Sequence, residues 1–247
     1  MEKQFDVIVA GGGPAGIAAA VSAARCGANT ALIERYGILG GMMTSGAVHP
    51  ILGNTAPNTM YQEVCALLNE GHENVPKDTT RNGSEIHVDP EEAKYRLLKL
   101  VCDSGVKLYL QTPIADVCKD GNRVTGVTVV TQDGLVTLNA KCVVDSTGDG
   151  FVAYRAGAEY HVGRESDGRC QPLSTEFTLE NVDEARAITC WGGSDPVTMP
   201  DGKKFSVFCQ EAHDRGELPE NVTIVRLHRT FYPGERNVNA TQVNGLD

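Results

Sequence analysis

The feature that most constrains this chain is a glycine-rich turn between a short apolar run and a helical segment. Residues 4–10 (QFDVIVA) are apolar and rich in β-branched side chains, which is typical of a buried strand. Glycines in GxGxxG spacing follow from Gly11, and residues 14–26 then have helical length with a proline in the first turn. Residues 29–34 predict a second strand. The sequence therefore predicts a β-α-β unit with a right-handed crossover.

Each glycine of this turn has a separate role in holding a dinucleotide. Gly11 permits the tight turn, Gly13 lets the backbone approach a pyrophosphate, and Gly16 lets the helix pack closely on the strand. The helix N-terminus supplies N–H groups and positive potential for the phosphates. Glu34 lies 18 residues after Gly16 and can accept hydrogen bonds from a ribose. A dinucleotide site follows, and this pattern alone leaves FAD and NAD open.

The remaining sequence up to residue 160 continues the α/β pattern and adds a β-meander. We predict further elements in chain order: helices at 59–70 and from Asp89, a strand at 105–110, strands near 114–118, 123–131 and 135–145, and a helix at 150–157. The three strands of the meander are separated by Asp-Gly pairs, which are a strong hairpin signal.

The pattern changes after residue 160. Short strands are predicted at 174–179, 204–209, 222–227 and 237–243, mixed with helical or irregular pieces. We interpret residues 161–247 as part of a second domain on the substrate side.

Composition excludes several classes of function. The formal net charge is -10, with 32 acidic against 22 basic residues, which disfavours a nucleic-acid or anionic-membrane surface. No apolar stretch approaches the roughly 20 residues of a membrane helix. Eight cysteines include no CxxC pair and no zinc or iron–sulfur spacing, so we predict reduced thiols and no metal site. We expect a soluble, cytoplasmic protein without a nucleic-acid partner or a membrane span.

Three further features favour FAD over NAD. Gly40-Gly41 follows soon after Glu34, where an ordinary helix would otherwise be expected. The meander occupies residues 114–145, and residues 143–150 (VVDSTGDG) form a strand that ends in a glycine turn. A chain that binds only NAD would leave these features without a role.

On these motifs the chain resembles the FAD-dependent oxidoreductases of the glutathione-reductase-like superfamily. It is most similar to the branch of fumarate reductase flavoproteins and thiazole-synthesis enzymes. The resemblance rests on residues 34–46 (ERYGILGGMMTSG) and on 143–150, and more weakly on 163–172 and 233–245. It implies an α/β fold: a Rossmann-like three-layer FAD-binding domain with the inserted meander over residues 1–160, and part of an α+β substrate or cap domain over 161–247.

The resemblance also implies roles by position. The pyrophosphate would be cradled by Gly11, Gly13, Ala15 and Gly16, and the ribose would be held by Glu34 and Arg35. The ribityl chain and flavin ring would be followed by Gly40, Gly41, Met42 and Thr44. The adenine would face the backbone of Ile114, and the diphosphate would be covered by Thr147, Gly148 and Asp149.

Four residues are candidates for the chemistry. His49 follows the second glycine turn and could act as acid, base or substrate contact; the alternative is a loop histidine bonded to backbone. Arg164, Gln171 and Arg229 lie in the weaker family-like stretches and could bind a substrate carboxylate. The alternative for each arginine is an ordinary surface ion pair.

The function implied is hydride transfer between a small organic substrate and flavin N5. No second GxGxxG motif is present, so electrons would come from the substrate or from an external donor or acceptor. Two alternatives stay open: an NAD-binding dehydrogenase, and a non-catalytic flavin-binding subunit of a larger complex.

The resemblance carries one more expectation, about the C-terminus. Its members return from the substrate domain to the FAD domain with a last strand and a helix that faces the flavin. We find no candidate for that element after residue 160. We therefore expect these 247 residues to be an N-terminal fragment that holds FAD weakly and turns over poorly.

Overall fold

The computed structural model describes residues 3–48, 50–52, 59–72, 85–193 and 195–244. Contacts divide them into two compact units. The first comprises the described residues of Met1–Ser45, Thr55–Glu70 and Pro90–Tyr160; the second comprises those of Gly46–Asn54, Gly71–Asp89 and His161–Asp247.

Seventeen elements follow one another in the described chain. In order they are β1 (Lys3–Ala10), α1 (Pro14–Arg25), β2 (Thr30–Ile33), a short 3₁₀ helix (Gly41–Met43), β3 (Pro50–Leu52), α2 (Met60–Asn69), β4 (Glu85–His87), α3 (Pro90–Asp103), β5 (Lys107–Tyr109), β6 (Ile114–Asp120), β7 (Arg123–Thr131), β8 (Gly134–Asp145), α4 (Phe151–Ala156), β9 (Phe177–Leu179), α5 (Phe205–Asp214), β10 (Arg226–Arg229) and β11 (Arg236–Asn239).

A six-stranded sheet forms the centre of the first unit, in the order β5-β2-β1-β8-β7-β6. Strands β5, β2, β1 and β8 are parallel, whereas β8, β7 and β6 are antiparallel neighbours and form the meander. The parallel part brings the carboxyl ends of β1, β2 and β8 to one edge, where ligands bind in open α/β sheets. The predicted α/β, Rossmann-like class is confirmed.

Helix α1 crosses from β1 to β2 and buries one face. Its buried residues are Gly16, Ile17, Ala20 and Val21, which recur at helical spacing. Small side chains on that face let the helix lie close to the sheet. The helix ends at Arg25, and two residues later Gly27 is left-handed and donates its N–H to the Ala24 carbonyl.

The second unit contains a three-stranded antiparallel sheet in the order β10-β11-β9, a two-stranded antiparallel sheet of β3 and β4, and helix α5. The strand predicted at 204–209 is wrong, because Phe205–Asp214 is a helix. Its buried residues Phe205, Cys209 and Ala212 are spaced four and three apart. In a segment this short, the apolar residues at 205, 207, 208 and 209 imitate a strand, and only burial at helical spacing separates the two.

The other strands of this unit exist, with different bounds. Predictions at 174–179, 222–227 and 237–243 correspond to Phe177–Leu179, Arg226–Arg229 and Arg236–Asn239. Of the helices that the structure describes, none has the length and apolar composition required to cross a membrane.

Candidate functional site

The glycine-rich turn is built so that two glycines serve the fold and one faces open space. A Cβ on Gly16 would lie 1.8 Å from the Gly11 carbonyl oxygen, and one on Gly11 would lie 2.3 Å from the Ser146 carbonyl oxygen. Gly11 also has a φ of 97°, which side chains rarely tolerate. A Cβ on Gly13 would have no neighbour within 4 Å among the described atoms. The described residues therefore leave room for a side chain at position 13.

The N-terminus of α1 opens beside Gly13. Gly13 is the N-cap residue with extended backbone, Pro14 takes the first helical position, and no described side chain caps the helix. The first turn also contains no acidic residue. Unpaired N–H groups and the positive end of the helix dipole therefore favour an anion here.

Glu34 is only 7% exposed and supports the first glycine turn through hydrogen bonds. Its Oε2 accepts a hydrogen bond from the Gly12 N–H at 2.6 Å, and its Oε1 accepts one from the Tyr36 N–H at 2.8 Å. Each carboxylate oxygen can accept more than one hydrogen bond, so capacity for a ribose hydroxyl remains. Arg35, the next residue, places its guanidinium 4.9 Å from the centroid of the Tyr36 ring.

The second glycine turn lies against the first. The Gly40 N–H donates to the Gly12 carbonyl at 2.9 Å, and a Cβ on Gly41 would lie 3.0 Å from the Cα of Gly13. The buried Thr44 hydroxyl donates to the Leu39 carbonyl at 2.6 Å and so stabilises this turn. Met42 is 61% exposed and projects away from the core.

Asp145, at the end of β8, organises the third loop of the site. Its Oδ1 accepts from the Thr147 N–H at 3.0 Å and from the Thr147 hydroxyl at 2.7 Å, and its Oδ2 accepts from the Ala153 N–H at 2.8 Å. The Thr147 hydroxyl in turn accepts from the Phe151 N–H. Burial raises the pKa of the Asp145 carboxyl, but the hydrogen bonds from Ala153 and Thr147 outweigh it, so the pKa lies below its usual range.

Sequence reasoning did not assign a role to Asp145. The signal was present, since an Asp followed by Thr shortly before a helix is a common capping arrangement. The residue also caps α4, whose N-cap Gly150 has no side chain to do so.

A cavity of about 330 Å³ lies between the first turn, the end of β2 and the loop after β8, at the lower end of the range of about 300–1,000 Å³ typical of ligand pockets. Predicted residues that line it are Gly11, Glu34, Arg35, Ile114, Thr147 and Asp149. Five residues without a predicted role also line it: Ile33, Thr112, Pro113, Phe151 and Tyr154. They come from strand ends and from α4. These elements are close together because of the fold, and the spacing of residues in the sequence does not predict it.

Comparison with known proteins decides the family. A family model described as FAD dependent oxidoreductase matches residues 6–247.

The chain belongs to this family. The resemblance found in the sequence is thereby confirmed, and the cofactor is FAD.

Two relatives each match about two thirds of this chain. It is 33% identical over 185 residues to the tRNA uridine 5-carboxymethylaminomethyl modification enzyme MnmG of Aquifex aeolicus, a match that spans 69% of this chain and 29% of that protein. It is 30% identical over 183 residues to the thiamine thiazole synthase of Methanothermobacter thermautotrophicus, spanning 68% and 66%.

A solved structure from Thermoplasma acidophilum, a geranylgeranyl bacteriochlorophyll reductase-like protein, matches with a TM-score of 0.61 and 18% identity. That match covers 97% of this chain and 57% of the other, and it supports the fold alone. The chain spans less than two thirds of the length of each of these three proteins.

The first unit fits the dinucleotide that this family uses. Open space over Gly13, an uncapped helix N-terminus and a buried carboxylate within the same unit are the three elements that a pyrophosphate and an adjoining ribose require. The cavity beside Glu34 and Ile114 has room for one end of the ligand.

The predicted catalytic residues are not brought together by any hydrogen bond or ion pair in the described ranges. Arg164 is exposed and makes two bonds of 2.6 Å to the Asp167 carboxylate, which is the surface ion pair of the alternative interpretation. Gln171 is exposed in an irregular segment, and Arg229 is exposed on β10 opposite Arg236. His49 lies outside the described residues. The roles of all four remain predictions.

Proposed function

We propose that this protein transfers a hydride between a small organic substrate and N5 of FAD. The observation that carries the proposal is Gly13, since a glycine that the protein does not need is explained by a ligand that passes close to it. FAD supplies the hydride-accepting and hydride-donating chemistry when it is bound.

In this proposal the residues of the first unit bind and orient the dinucleotide. The backbone at Gly13 and the N-terminus of α1 hold the pyrophosphate, and Glu34 accepts hydrogen bonds from the ribose. Ile114 faces the adenine, and the exposed Met42 follows the flavin side. Asp145 fixes the loop that carries Thr147 and closes the cavity.

The second unit supplies the substrate contacts in this proposal. His49 acts as acid or base, and Gln171 and Arg229 are available for a substrate carboxylate. Arg164 is the weakest candidate, because Asp167 already engages two of its guanidinium nitrogens.

A small molecule is the better substrate for this chain than a nucleic acid. One relative is named as a tRNA modification enzyme, but the match spans 29% of that protein. The formal net charge of -10 opposes binding to a phosphate backbone.

The test begins with the purified protein. Its cofactor is released by denaturation and identified by absorbance and mass, and the protein is then mixed anaerobically with candidate substrates while the flavin absorbance is followed. We expect FAD, and bleaching of its visible band by a small organic substrate. Release of NAD would support the dehydrogenase alternative. Bound FAD that no substrate or electron donor changes would support the non-catalytic subunit.

A further inference from the structure

One face of the three-stranded sheet in the second unit is polar. Antiparallel pairing aligns residues across the sheet, and residues aligned in this way share a face. His228 pairs with Asn237, which pairs with Thr178; Arg226 pairs with Asn239. The next position of the same register is Glu176, and the Asn239 amide donates to its Oε1 at 3.0 Å. The polar face therefore has two rows of three: Arg226, Asn239 and Glu176, then His228, Asn237 and Thr178.

The orientation of both asparagine amides on this polar face is fixed by their partners. The Asn237 amide nitrogen donates to the Ala47 carbonyl at 3.2 Å, and the Asn239 amide nitrogen donates to the Glu176 carboxylate. An acceptor partner requires the N–H side of the amide, so in both residues the oxygen faces elsewhere.

Three buried oxygens of this face have no hydrogen-bond donor among the described residues. They are Oδ1 of Asn237, Oδ1 of Asn239 and Oε2 of Glu176. Asn237 is 0% exposed, so solvent does not compensate its oxygen. Buried polar groups are almost always hydrogen-bonded, and three acceptors in one cluster point to a donor-rich group that binds there.

The face also carries opposite charges on its two sides. Arg226 lies on β10 and Glu176 at the start of β9, with β11 between them, so their backbones are about 10 Å apart. They do not form an ion pair, and the Arg226 guanidinium makes no hydrogen bond within the described chain. Burial raises the pKa of Glu176, and the amides of Asn239 and Asn237 and the charge of Arg226 oppose that effect. Both asparagine amides and Arg226 are therefore near this carboxylate.

We propose that this polar face binds an α-amino acid as its zwitterion. The carboxylate pairs with Arg226, and the ammonium donates to Glu176 and to the two asparagine oxygens. An ammonium group has three donors, which equals the number of oxygens without a partner. Trp191, whose ring centroid lies 4.2 Å from that of His228, provides an apolar surface beside the face.

The ligand enters from the side of Glu176 and Asn239. Both are half-buried and Thr178 is exposed, whereas Asn237 is buried. In this proposal, Glu176 and Asn239 change side-chain rotamer when the ligand binds. That the amino acid is also the substrate of the flavin rests on the proposed function. That it binds to this polar face does not, so the test below measures binding and needs no turnover.

Binding is tested on the purified 247-residue chain by thermal shift and calorimetry with each of the common L-amino acids. The amino acid that binds best is then compared with its matched amine and its matched carboxylic acid. We expect binding of at least one amino acid, and binding at least about tenfold weaker for either analogue, which lacks one charged contact. Absence of binding by every amino acid, or equal binding by one analogue, overturns the zwitterion site and leaves ordered water as its occupant.

Variants locate the site. Arg226→Met and Glu176→Gln should each weaken binding of that amino acid at least about tenfold. Arg186→Met, at an exposed position of the same unit, is the matched control and should bind normally. Circular dichroism verifies that each variant is folded. If Arg229→Met abolishes binding and Arg226→Met does not, the carboxylate lies on the other face of β10 and our placement is wrong.

Discussion

The two units hold their functional groups in different ways. In the first, the site is made of backbone: glycine turns, a helix N-terminus and one carboxylate that braces them. In the second, polar side chains such as Arg226, His228 and Asn237 are brought together by strand pairing. A site made of backbone leaves its trace in glycine spacing, whereas a site made of side chains depends on a register that is known only after folding.

The largest expected effect is that of Gly16→Ala on the first unit. The new Cβ would lie 1.8 Å from the Gly11 carbonyl oxygen, so α1 must move away from β1. We expect a loss of about 3 kcal/mol or more in the free energy of unfolding, at the upper end of overpacking effects, and no bound FAD. Thermal unfolding by far-UV circular dichroism and the FAD content measure it. A variant with normal stability and normal FAD content would show that the close contact is not required.

Glu184→Gln should affect the second unit instead. Arg236 is almost fully buried and makes two hydrogen bonds of 2.8 and 3.0 Å to Glu184. We expect a loss of about 1–2 kcal/mol, below the roughly 3–5 kcal/mol of a fully buried pair because Glu184 is 42% exposed. Trp191 is the only tryptophan and lies in this unit, so its fluorescence during urea unfolding reports the effect. FAD content should stay normal.

The same pair predicts a pH dependence. Hydrogen bonds from Arg236 and the Gly234 N–H lower the pKa of Glu184 from 4.5 to about 2. Because the folded pKa is the lower one, the stabilisation is complete above about pH 4.5 and is lost as the pH falls toward about 2. Glu184→Gln should lack this component of acid sensitivity. Identical acid unfolding curves for the variant and the parent would show that the Glu184–Arg236 pair does not contribute to the acid sensitivity.

Glu34→Ala comes next and acts on the ligand and the turn together. The variant loses the proposed ribose acceptor and the hydrogen bond from the Gly12 N–H. We expect FAD binding to weaken by about 1–3 kcal/mol, the range for hydrogen bonds to charged groups. Titration of the apoprotein with FAD measures the dissociation constant, and Glu34→Gln is the matched control that keeps size and one acceptor. An unchanged constant in the alanine variant would show that Glu34 does not contact the ribose.

Asp145→Asn should have the smallest effect. The asparagine amide has one acceptor oxygen, so it cannot accept the hydrogen bonds from both Thr147 and Ala153 without weakening one of them. We expect FAD affinity to fall by about 0.5–1.5 kcal/mol. Because the pKa of Asp145 is lowered in the folded chain, the parent should lose this contribution as the pH falls through and below 3.8, and the variant should not. Measurement of FAD release as a function of pH distinguishes the parent from the variant.

Prediction from sequence succeeded where local chemistry decides the structure. The glycine spacing from Gly11 and the Asp-Gly turns of the meander each specify a backbone conformation without reference to distant residues. It failed at 204–209, where a short apolar run fits both a strand and a helix. Segments 46–54 and 71–89 belong to the second unit, and no pattern within them reveals this.

The side chains of the candidate site show the same limit. Asp145 and Tyr154 reach the cavity region through the meeting of β8 and α4, which spacing does not encode. Arg226 lies on the polar face with Asn237, whereas Arg229 lies on the opposite face of β10, because side chains alternate across a strand.

The most direct test of the account is the FAD dissociation constant of Gly13→Ala. A Cβ at this position meets no described atom within 4 Å, so the apoprotein should unfold at the parental temperature. The same Cβ would occupy the space that we propose for the pyrophosphate, so FAD binding should weaken by roughly 100-fold or more, about 3 kcal/mol. Gly16→Ala is the matched substitution that damages the fold itself. Parental FAD affinity in a fully folded Gly13→Ala variant would contradict the central claim that this backbone holds the cofactor.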